Sequence, residues 1–395
     1  MIKKKDSFFR GDFCYSKSGI ELSWVKIQNM LTIGKICSAF ESYAPLNLQE
    51  EYDNSGLLVG EKDMECSGVM FCLDVTEEVI QKAVQDRCNL IVAHHPLIFR
   101  GLKKISRLTS QGRILISAIR ENIAIYACHT NIDNVLKGVN GRIADKLELG
   151  KRSVLLPKSG TLKKLVVFAP ESHSETIESS LFEAGAGHVG EYSACSFVSE
   201  GRGSFLPSEN ANPFVGEKGK RHVEKENKIE VIFPAWNENR VLDAMRASHP
   251  YEEVAFEVFQ LENNNQAYGS GLIGYLKEPL DELVILSRVR EIFNVPVIRH
   301  SPLTNRKISK IAVCGGAGAF LIGESKRQGA DLFITADLKY HDFFEAENQL
   351  VLADIGHFES EQYTVELFMD IFREKFPTFA HLKNHISTNP VNYLI

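Results

Sequence analysis

Short apolar runs that alternate with helix-like segments constrain the fold of this chain more than any other feature. Three such runs, residues 68–73, Leu90–Ala93 and residues 123–127, follow one another early in the chain. Continuous apolar runs of this length are typical of strands in a parallel sheet that helices cover on both faces. Thr76 can cap a helix after the first run, and residues 110–121 have helical periodicity. The pattern predicts consecutive β-α-β units.

The same alternation returns near the other end of the chain. The predicted strands are residues 308–314, 331–335 and 350–354, and the predicted helices are residues 320–328, 340–348 and 357–375. Pro377 ends the last of these helices. Both ends of the chain therefore predict α/β structure.

The middle of the chain has a different order of elements. Strands and helices are predicted in the order β-α-β-β-α-β, at residues 162–169, 174–184, 191–198, 228–233, 238–248 and 254–261. This order is typical of the ferredoxin-like fold. The charge-dense run 217–228 has no apolar face and predicts a solvated loop.

Together these patterns predict an α/β host domain with mostly parallel sheets flanked by helices, interrupted by a ferredoxin-like α+β insertion. The host domain comprises residues 31–159 and 266–395, and the insertion comprises residues 160–265. Helical periodicity begins only after Met30, so we interpret residues 1–30 as an extension outside the fold.

Composition excludes several classes of protein. The chain is 44% hydrophobic and 24% charged, which is typical of folded soluble proteins. Its net charge of −6, with scattered basic residues, argues against duplex nucleic acid as a partner. The eight cysteines form no C-x-x-C pair, and charged residues interrupt the N-terminal stretch that a secretory signal would need. We expect reduced thiols in a cytoplasmic protein that does not bind membranes.

Two adjacent histidines, His94 and His95, follow the run Leu90–Ala93 and precede Pro96. Open α/β sheets bind ligands at the carboxyl ends of their strands. Neighbouring side chains point to opposite faces within a strand, but a backbone that turns at Pro96 can aim both rings into one cleft. The pair is therefore a candidate metal site. For the dipeptide alone, a strand cap beside a solvated histidine is an equally good interpretation.

The next strand end adds an imidazole and a carboxylate, His129 and Asp133. Neighbouring parallel strands end at the same edge of a sheet, so these side chains should meet the first pair. Taken singly, Asp133 would be a turn residue and His129 a hydrogen-bonded core histidine. We interpret Asp133 as a metal ligand and His129 as a residue behind the ligands or a proton carrier.

His357 and Glu361 follow the predicted strand 350–354 and lie four residues apart, on one face of a helix. One metal ion could bind both. Glu361 lies near the amino end of that helix, where the helix dipole favours an ionised carboxylate. Alone the pair would be an ordinary surface pair, but with the two strand ends it completes a candidate site.

These five side chains, His94, His95, Asp133, His357 and Glu361, would hold two divalent ions. Imidazole and carboxylate ligands without thiolate suit Zn, Fe, Mn, Co or Ni and do not choose among them. Two ions bring four positive charges against two carboxylates. We therefore expect a net positive site that acidifies bound water and attracts an anionic substrate such as a phosphate ester.

Two further segments carry weaker signals. The glycine turn at residues 315–318 lacks the third glycine of a dinucleotide-binding fingerprint, because position 321 is Leu. Its N–H groups could cradle an anion, or the segment could be only a tight turn. In residues 335–342, Asp337 and His341 could form a wall of the substrate site, although helix capping would also explain Asp337.

Six motifs together closely resemble the Ngg-one-interacting-factor-three-like family, whose members are often named GTP cyclohydrolase 1 type 2 homologues. They are YDNSGLLV at 52–59, AHHP at 93–96, CHTNID at 128–133, the glycine turn at 315–318, TADLKYHD at 335–342 and GHFESE at 356–361. The resemblance covers residues 31–395.

The resemblance implies a dinuclear metal centre with all five ligands intact and Glu361 bridging the ions. It also implies that the insertion is PII-like or CutA-like, through motifs at residues 200–205 and 249–253. Members with and without the insertion form toroidal homohexamers, so we expect that assembly here.

The family name implies opening of the imidazole ring of GTP. Attack of hydroxide on purine C8, with His129 or His341 as the catalytic residue that moves protons, is chemically reasonable. Two alternatives stay open, hydrolysis of a phosphoester between two metal ions and a non-catalytic metal-binding scaffold or regulator. The expected partner is a nucleotide or another phosphorylated small molecule.

Overall fold

The computed structural model describes residues 31–394, so the extension interpreted at residues 1–30 lies outside the described residues. The helices are α1 Ile33–Tyr43, α2 Glu77–Gln85, α3 Ser110–Arg120, α4 Thr130–Asp133, α5 Val139–Lys146, α6 Ser174–Glu183, α7 Glu238–Ser248, α8 Glu282–Ile292, α9 Ile322–Arg327, α10 His357–Glu361 and α11 Thr364–Lys375. The strands are β1 Gly56–Val59, β2 Val69–Cys72, β3 Leu90–Ala93, β4 Ala124–Ala127, β5 Gly150–Pro157, β6 Leu162–Pro170, β7 Ser196–Phe205, β8 His222–Pro234, β9 Phe256–Gln260, β10 Gly269–Asp281, β11 Arg299–His300, β12 Lys307–Ala317, β13 Leu332–Ala336, β14 Val351–Asp354 and β15 His381–Lys383.

The first sheet has the strand order β1-β4-β3-β2-β15. Strands β2, β3, β4 and β15 run parallel, and β1 pairs with β4 in the antiparallel direction. Helices α2 and α3 cover one face, where their apolar residues join a core that includes Met70 and Ile91. The hydroxyl of Thr76 accepts the Val79 N–H and so caps α2 as its position in the sequence predicts.

The second sheet has the strand order β11-β14-β13-β12-β10-β5, with β12, β13 and β14 parallel and the remaining pairs antiparallel. One face packs towards the first sheet, so the two sheets share a core with α1 and α11. At its centre the rings of Phe40, Phe71 and Phe368 have centroids 5.6–6.4 Å apart. The structure confirms the predicted α/β class of mostly parallel sheets flanked by helices.

The third sheet, β7-β8-β6-β9, is wholly antiparallel and lies within the predicted insertion. Helices α6 and α7 pack on one face, around buried residues such as Val167, Ile229 and Val231. The strand order is that of a ferredoxin-like unit. Gly269 pairs with Pro157, so the chain leaves and re-enters the second sheet on neighbouring strands. This pairing is what an insertion requires, and the boundaries at residues 160 and 265 stay a prediction.

Glu282 begins α8 and is buried. Its carboxylate accepts the Thr304 N–H and hydroxyl at 2.7 Å and the Asn305 N–H at 3.1 Å. Burial acts to raise the pKa of Glu282, but these hydrogen bonds lower it below its ordinary value. The carboxylate therefore anchors the loop before β12 in its ionised form.

The predicted loop at residues 217–228 is confirmed for residues 217–221 and was wrong from His222 onward. Strand β8 begins at His222 and pairs with β7 as far as Phe205. The Glu and Lys side chains at residues 224–228 alternate along a strand that stays accessible to solvent. Charge density alone does not distinguish such a strand from a loop.

Two helix predictions near the other end also need correction. Residues 340–348 contain only the 3₁₀ turn Asp342–Ala346, which ends at the left-handed residues Glu347 and Asn348. The predicted helix 357–375 is divided into α10 and α11. Among residues 31–394, no helix combines the length and the apolar character that crossing a membrane requires.

Candidate metal centre

His94 and His95 follow β3, where the backbone turns. The N–H of His94 lies 3.1–3.2 Å from the carbonyls of Cys72 and Leu73, and the N–H of His95 donates to Leu73 at 2.9 Å. The two ring centroids are 4.8 Å apart. The turn thus overrides the alternation of a strand and aims both imidazoles into the gap between the two sheets.

Both rings are oriented through Nδ1. Nδ1 of His94 donates to the carbonyl of Cys128 at 2.9 Å, and Nδ1 of His95 donates to the carboxylate of Asp74 at 2.8 Å. Because these oxygens can only accept, the neutral form of each ring keeps its hydrogen on Nδ1 and leaves Nε2 free. Metal-binding histidines have this arrangement, in which an outer acceptor fixes the ring and its tautomer.

His129 follows β4 and is held by Asp53. Its Nδ1 donates to Asp53 Oδ1 at 2.8 Å, and the other carboxylate oxygen accepts from Ser55 and from the N–H of Thr130 at 3.0 Å. Burial acts to raise the pKa of Asp53, but the hydrogen bonds and charge of its neighbours hold it well below its ordinary value. The ring centroid of His129 is 5.3 Å from that of His94.

The second sheet contributes α10, a short helix after β14. His357 and Glu361 lie on one face of it, with Nε2 of His357 3.1 Å from Glu361 Oε2. Nδ1 of His357 donates to Asp337 at 2.7 Å. Glu361 is buried, so its carboxylate is shielded from solvent within the cluster.

The donor atoms divide into two groups that share Glu361. Oε2 of Glu361 lies 3.0 Å from His95 Nε2, and the Nε2 atoms of His95 and His357 are 3.3 Å apart. Oε1 lies 3.6 Å from His94 Nε2, which is 3.7 Å from Asp133 Oδ1. Tetrahedral ligands about 2.1 Å from a zinc ion are roughly 3.4 Å apart. The spacing in both groups is close to what one ion would require.

Two buried polar atoms of the cluster have no partner. Within residues 31–394, Nε2 of His94 and Oδ1 of Asp133 are shielded from solvent and make no hydrogen bond. Leaving such groups unsatisfied costs about 1–3 kcal/mol each. Both atoms point into the space between the ligands, so a bound cation would satisfy them.

The protonation states fit a site built for cations. Burial lowers the pKa of His94. Burial acts in the same direction on His95 and His357, but hydrogen bonds to carboxylates raise the pKa of His95 to about 10 and that of His357 to about 9. Burial acts to raise the pKa of Glu361, yet the imidazoles hold it well below its ordinary value, while burial and the charge of Glu361 raise the pKa of Asp133. The carboxylates thus favour protonated forms of His95 and His357, and a metal ion that binds their Nε2 atoms would release these protons.

A cavity of about 680 Å³ opens onto the cluster. His95, His129 and His357 lie at its base, and its walls include Phe99, Val297, Arg299, Phe358 and Tyr393. The C-terminal segment is hydrogen-bonded near this wall, where the Thr388 hydroxyl donates to Asp74 at 2.8 Å. A small molecule could therefore reach the histidines from one side.

Comparison with known proteins identifies the chain. The sequence matches the family described as Duf34/NIF3 (NGG1p interacting factor 3) over residues 31–390. The chain belongs to the Duf34/NIF3 family. It is 41% identical over 335 residues to a Halalkalibacterium halodurans protein named GTP cyclohydrolase 1 type 2 homolog, covering 84% of this chain and 89% of that protein. It is 40% identical over 326 residues to a Bacillus subtilis protein of the same name, covering 82% and 87%.

A solved Duf34/NIF3 structure supports the assignment. The crystal structure of a Bacillus cereus protein related to NIF3 superposes with a TM-score of 0.82 at 37% identity, covering 93% of this chain and 100% of that one. The family and the host fold are therefore established.

The glycine turn of this Duf34/NIF3 chain makes room for the cluster. Gly316 has a φ of +63°, and a Cβ on it would lie 2.5 Å from Glu361 Oε1 and 3.3 Å from His357 Nε2. The N–H groups of Gly315 and Gly316 donate to Asn140 and Ser360 at 2.9 Å. These two N–H groups are therefore used within the fold and are not available to an anion, whereas the cradle considered from the sequence for the rest of the turn stays a prediction.

The structure brings together His94, His95, His129, Asp133, His357 and Glu361, and it places His341 elsewhere. The His341 side chain is exposed, and its recorded ring contacts are with Tyr340 and Phe344. Sequence reasoning missed the roles of Asp53 and Asp74 and considered Asp337 only as a wall or cap. Asp74 and Asp337 follow strand ends, and that position was the available signal.

Proposed function

We propose that this protein is a metal-dependent hydrolase that holds two divalent ions between His94, His95, Asp133, His357 and Glu361. The observation that carries the proposal is that the two carboxylate oxygens of Glu361 face different histidines. Oε2 faces His95 and His357 at 3.0 and 3.1 Å, and Oε1 faces His94 at 3.6 Å. Each half can thus serve one ion, with Glu361 as the bridge.

Imidazole and carboxylate ligands without thiolate suit Zn, Fe, Mn, Co or Ni. Bound divalent ions would acidify a water molecule and polarise the bond under attack.

His129 is the residue that we propose moves the proton. Its ring lies beside those of His94 and His95, at centroid distances of 5.3 and 5.5 Å. The ionised Asp53 holds the Nδ1–H, so the neutral ring presents an unprotonated Nε2 that can accept a proton. The same carboxylate would stabilise the imidazolium that forms, which is what an orienting carboxylate does for a general base.

Charge favours a substrate whose reacting part is neutral. Asp53, Asp74 and Asp337 hydrogen-bond to the cluster's imidazoles and add to the ligands Asp133 and Glu361. Five carboxylates then surround the four positive charges of two divalent ions. The net positive site expected from the ligands alone is therefore not what the structure supports.

A neutral purine base fits this charge balance better than a phosphate group does. Phe99 and Tyr393 in the cavity wall are 39% and 40% exposed and could stack on such a base. Together with the names of the Duf34/NIF3 relatives, this favours ring opening of a purine nucleotide such as GTP over phosphoester hydrolysis.

Metal content and turnover test the proposal together. Elemental analysis of protein purified without added metal should find two divalent ions per chain. Incubation with GTP should yield a ring-opened product rather than free phosphate. Glu361→Ala should lose the ions and the turnover. Glu366→Ala, on α11, removes a solvent-accessible ion pair with Lys146 and should keep both.

The possible outcomes separate the alternatives. Turnover that survives in Glu361→Ala would belong to a contaminant. Full metal content without turnover of GTP or of generic phosphoesters would reject the enzymatic proposal and favour a metal-binding scaffold. Release of phosphate without a ring-opened product would favour a phosphoesterase.

We also propose that the protein works in the cytoplasm as a toroidal homohexamer, the assembly that the family resemblance implies. All seven cysteines in the described part of the chain are free, and six of them are buried, which supports a reducing compartment. Light scattering on the eluting protein should give six times the chain mass of 44.3 kDa. A monomer or dimer at micromolar concentration would refute the proposed assembly.

A further inference from the structure

The inserted unit contains a cavity of its own, far along the chain from the metal ligands. It has a volume of about 770 Å³ and lies between β7, β8 and the segments 206–214 and 251–255. Ile229 and Val231 of β8 face the helices, so by strand alternation Lys228 and Glu226 face the other side of the sheet. The cavity is therefore on the face that α6 and α7 leave open. Its volume is in the range of small-molecule sites.

Aromatic rings form one wall of this cavity. The centroids of Phe205 and Phe214 each lie 6.2 Å from that of Tyr251. Phe214 is 53% exposed, so its ring is accessible to a molecule in the cavity. Three rings around one space present electron-rich faces, which attract cations within about 6 Å.

A carboxylate is fixed beside these rings. Glu226 Oε1 accepts the hydroxyl hydrogen of Tyr251 at 3.0 Å. Gly203 lies against the same carboxylate, because a Cβ at that position would overlap it. The lack of a side chain at Gly203 therefore gives Glu226 its place in the cavity.

The charged side chains that line the cavity carry a net negative charge. On the open face the lining has three carboxylates, those of Glu226, Glu252 and Glu253, against the ammonium of Lys228. Glu200 and Arg202 pair with Asn227 and Lys225, so by strand alternation their side chains face the other side of the sheet. The Lys228 ammonium lies 3.3 Å from Glu230, outside the lining. The cavity therefore has an excess of negative charge beside an aromatic wall.

We propose that this cavity binds a small organic cation, an ammonium or guanidinium compound of metabolite size. The rings of Phe205, Phe214 and Tyr251 surround its apolar part, and Glu226 pairs with its charge. The proposal concerns the inserted unit and does not depend on the reaction at the metal centre.

Titration calorimetry on the full chain tests the proposal with choline, spermidine and agmatine as cations and with inorganic phosphate and citrate as anions. At least one cation should bind with a Kd below millimolar. Binding should persist in Glu361→Ala, because that substitution affects only the metal centre.

Three substitutions assign the site. Glu226→Gln keeps the acceptor for Tyr251 but removes the charge, and it should weaken cation binding at least tenfold. Phe214→Leu, at an exposed position that cannot unfold the core, should weaken it several-fold. Glu257→Gln is the matched control, since this exposed residue on β9 lies outside the lining, and it should leave the Kd unchanged.

The proposal would be overturned if none of the cations bound with a Kd below one millimolar, or if either Phe214→Leu or Glu226→Gln kept the wild-type Kd. Preferential binding of phosphate or citrate in the Glu361→Ala background would also overturn it, since it would assign an anion site centred on Lys228.

Discussion

Replacing Gly316 with alanine tests whether the close approach of β12 to Glu361 is what allows the metal centre to form. The new Cβ would lie 2.5 Å from Glu361 Oε1, 3.2 Å from His357 Cε1 and 3.3 Å from its Nε2. To reach ordinary contact, the carboxylate would have to retreat by about 1 Å, whereas metal sites tolerate roughly 0.2 Å in a ligand distance. The ion on the Oε1 side, near His94, should therefore be lost first.

Gly316→Ala also carries a backbone cost that has nothing to do with metal. With φ at +63°, alanine in this left-handed conformation costs about 1–2 kcal/mol. Gly329→Ala is the matched control, because Gly329 has a φ of +69° and its added Cβ would meet no atom within 4 Å. Both variants should lose similar stability through the backbone, and only Gly316→Ala should lose metal.

Two measurements separate these effects. Urea denaturation of the chelated proteins gives the backbone cost, and it should be about 1–2 kcal/mol for Gly329→Ala and at least that for Gly316→Ala. Elemental analysis and chelator competition give the metal content, which should be two ions per chain for wild type and Gly329→Ala but at most one for Gly316→Ala. Equal metal content and affinity in the two variants would refute the reasoning.

Three further substitutions test the supports of the centre and the fold. Asp74→Asn should weaken metal affinity about 10- to 100-fold in chelator competition, whereas Asp86→Asn, in an ion pair near the surface, should leave it unchanged. Glu282→Gln should lower the free energy of unfolding at neutral pH by about 1.5–3 kcal/mol. Folding lowers the pKa of Glu282 from its ordinary value of 4.5. The difference in unfolding free energy between wild type and variant should therefore be fully present above pH 4.5 and should vanish as the pH falls through the lowered pKa. A difference that persists in acid would contradict this. Phe368→Ala should lower the free energy of unfolding by about 3–5 kcal/mol in urea titrations. It should also weaken metal binding, because the ring centroid of Phe368 is 6.4 Å from that of His94. Unchanged metal affinity would show that packing of this ring does not support the metal centre.

Position within a sheet is what made much of the centre predictable. His94, His129 and His357 all follow strands in the sequence, and parallel strands that share a sheet end at the same edge. The sequence does not reveal that β14 belongs to a second sheet facing the first. That arrangement depends on side chains such as Phe368, which fill the shared core. The order of helices and strands along the insertion was likewise readable from periodicity. The bounds of its strands were less so, because the strand predicted at residues 191–198 is Ser196–Phe205 and the strand within residues 217–228 depends on pairing with it.

The hydrogen bonds of the outer carboxylates to the imidazoles were beyond sequence reasoning, although the strand ends before Asp74 and Asp337 placed these two residues near the site. Asp53, Asp74 and Asp337 act through single hydrogen bonds to imidazoles, and for Asp53 the partner lies 76 residues away. A sequence offers no measure of that distance, and each aspartate alone would pass for a turn or cap residue.

If only the five proposed ligands are counted, two divalent ions would give the centre a net positive charge, which would attract a phosphate. Counting the three outer charges removes that excess. A substrate would then bind through direct coordination to the ions and would gain little from long-range electrostatic attraction. Under these conditions a neutral purine ring can compete with a phosphate for the site. Asp337→Asn removes one outer charge while leaving the five ligands in place. If the charge argument holds, this variant should bind inorganic phosphate more tightly than wild type at equal metal content, and weaker or unchanged phosphate binding would show that the outer carboxylates do not set the substrate preference.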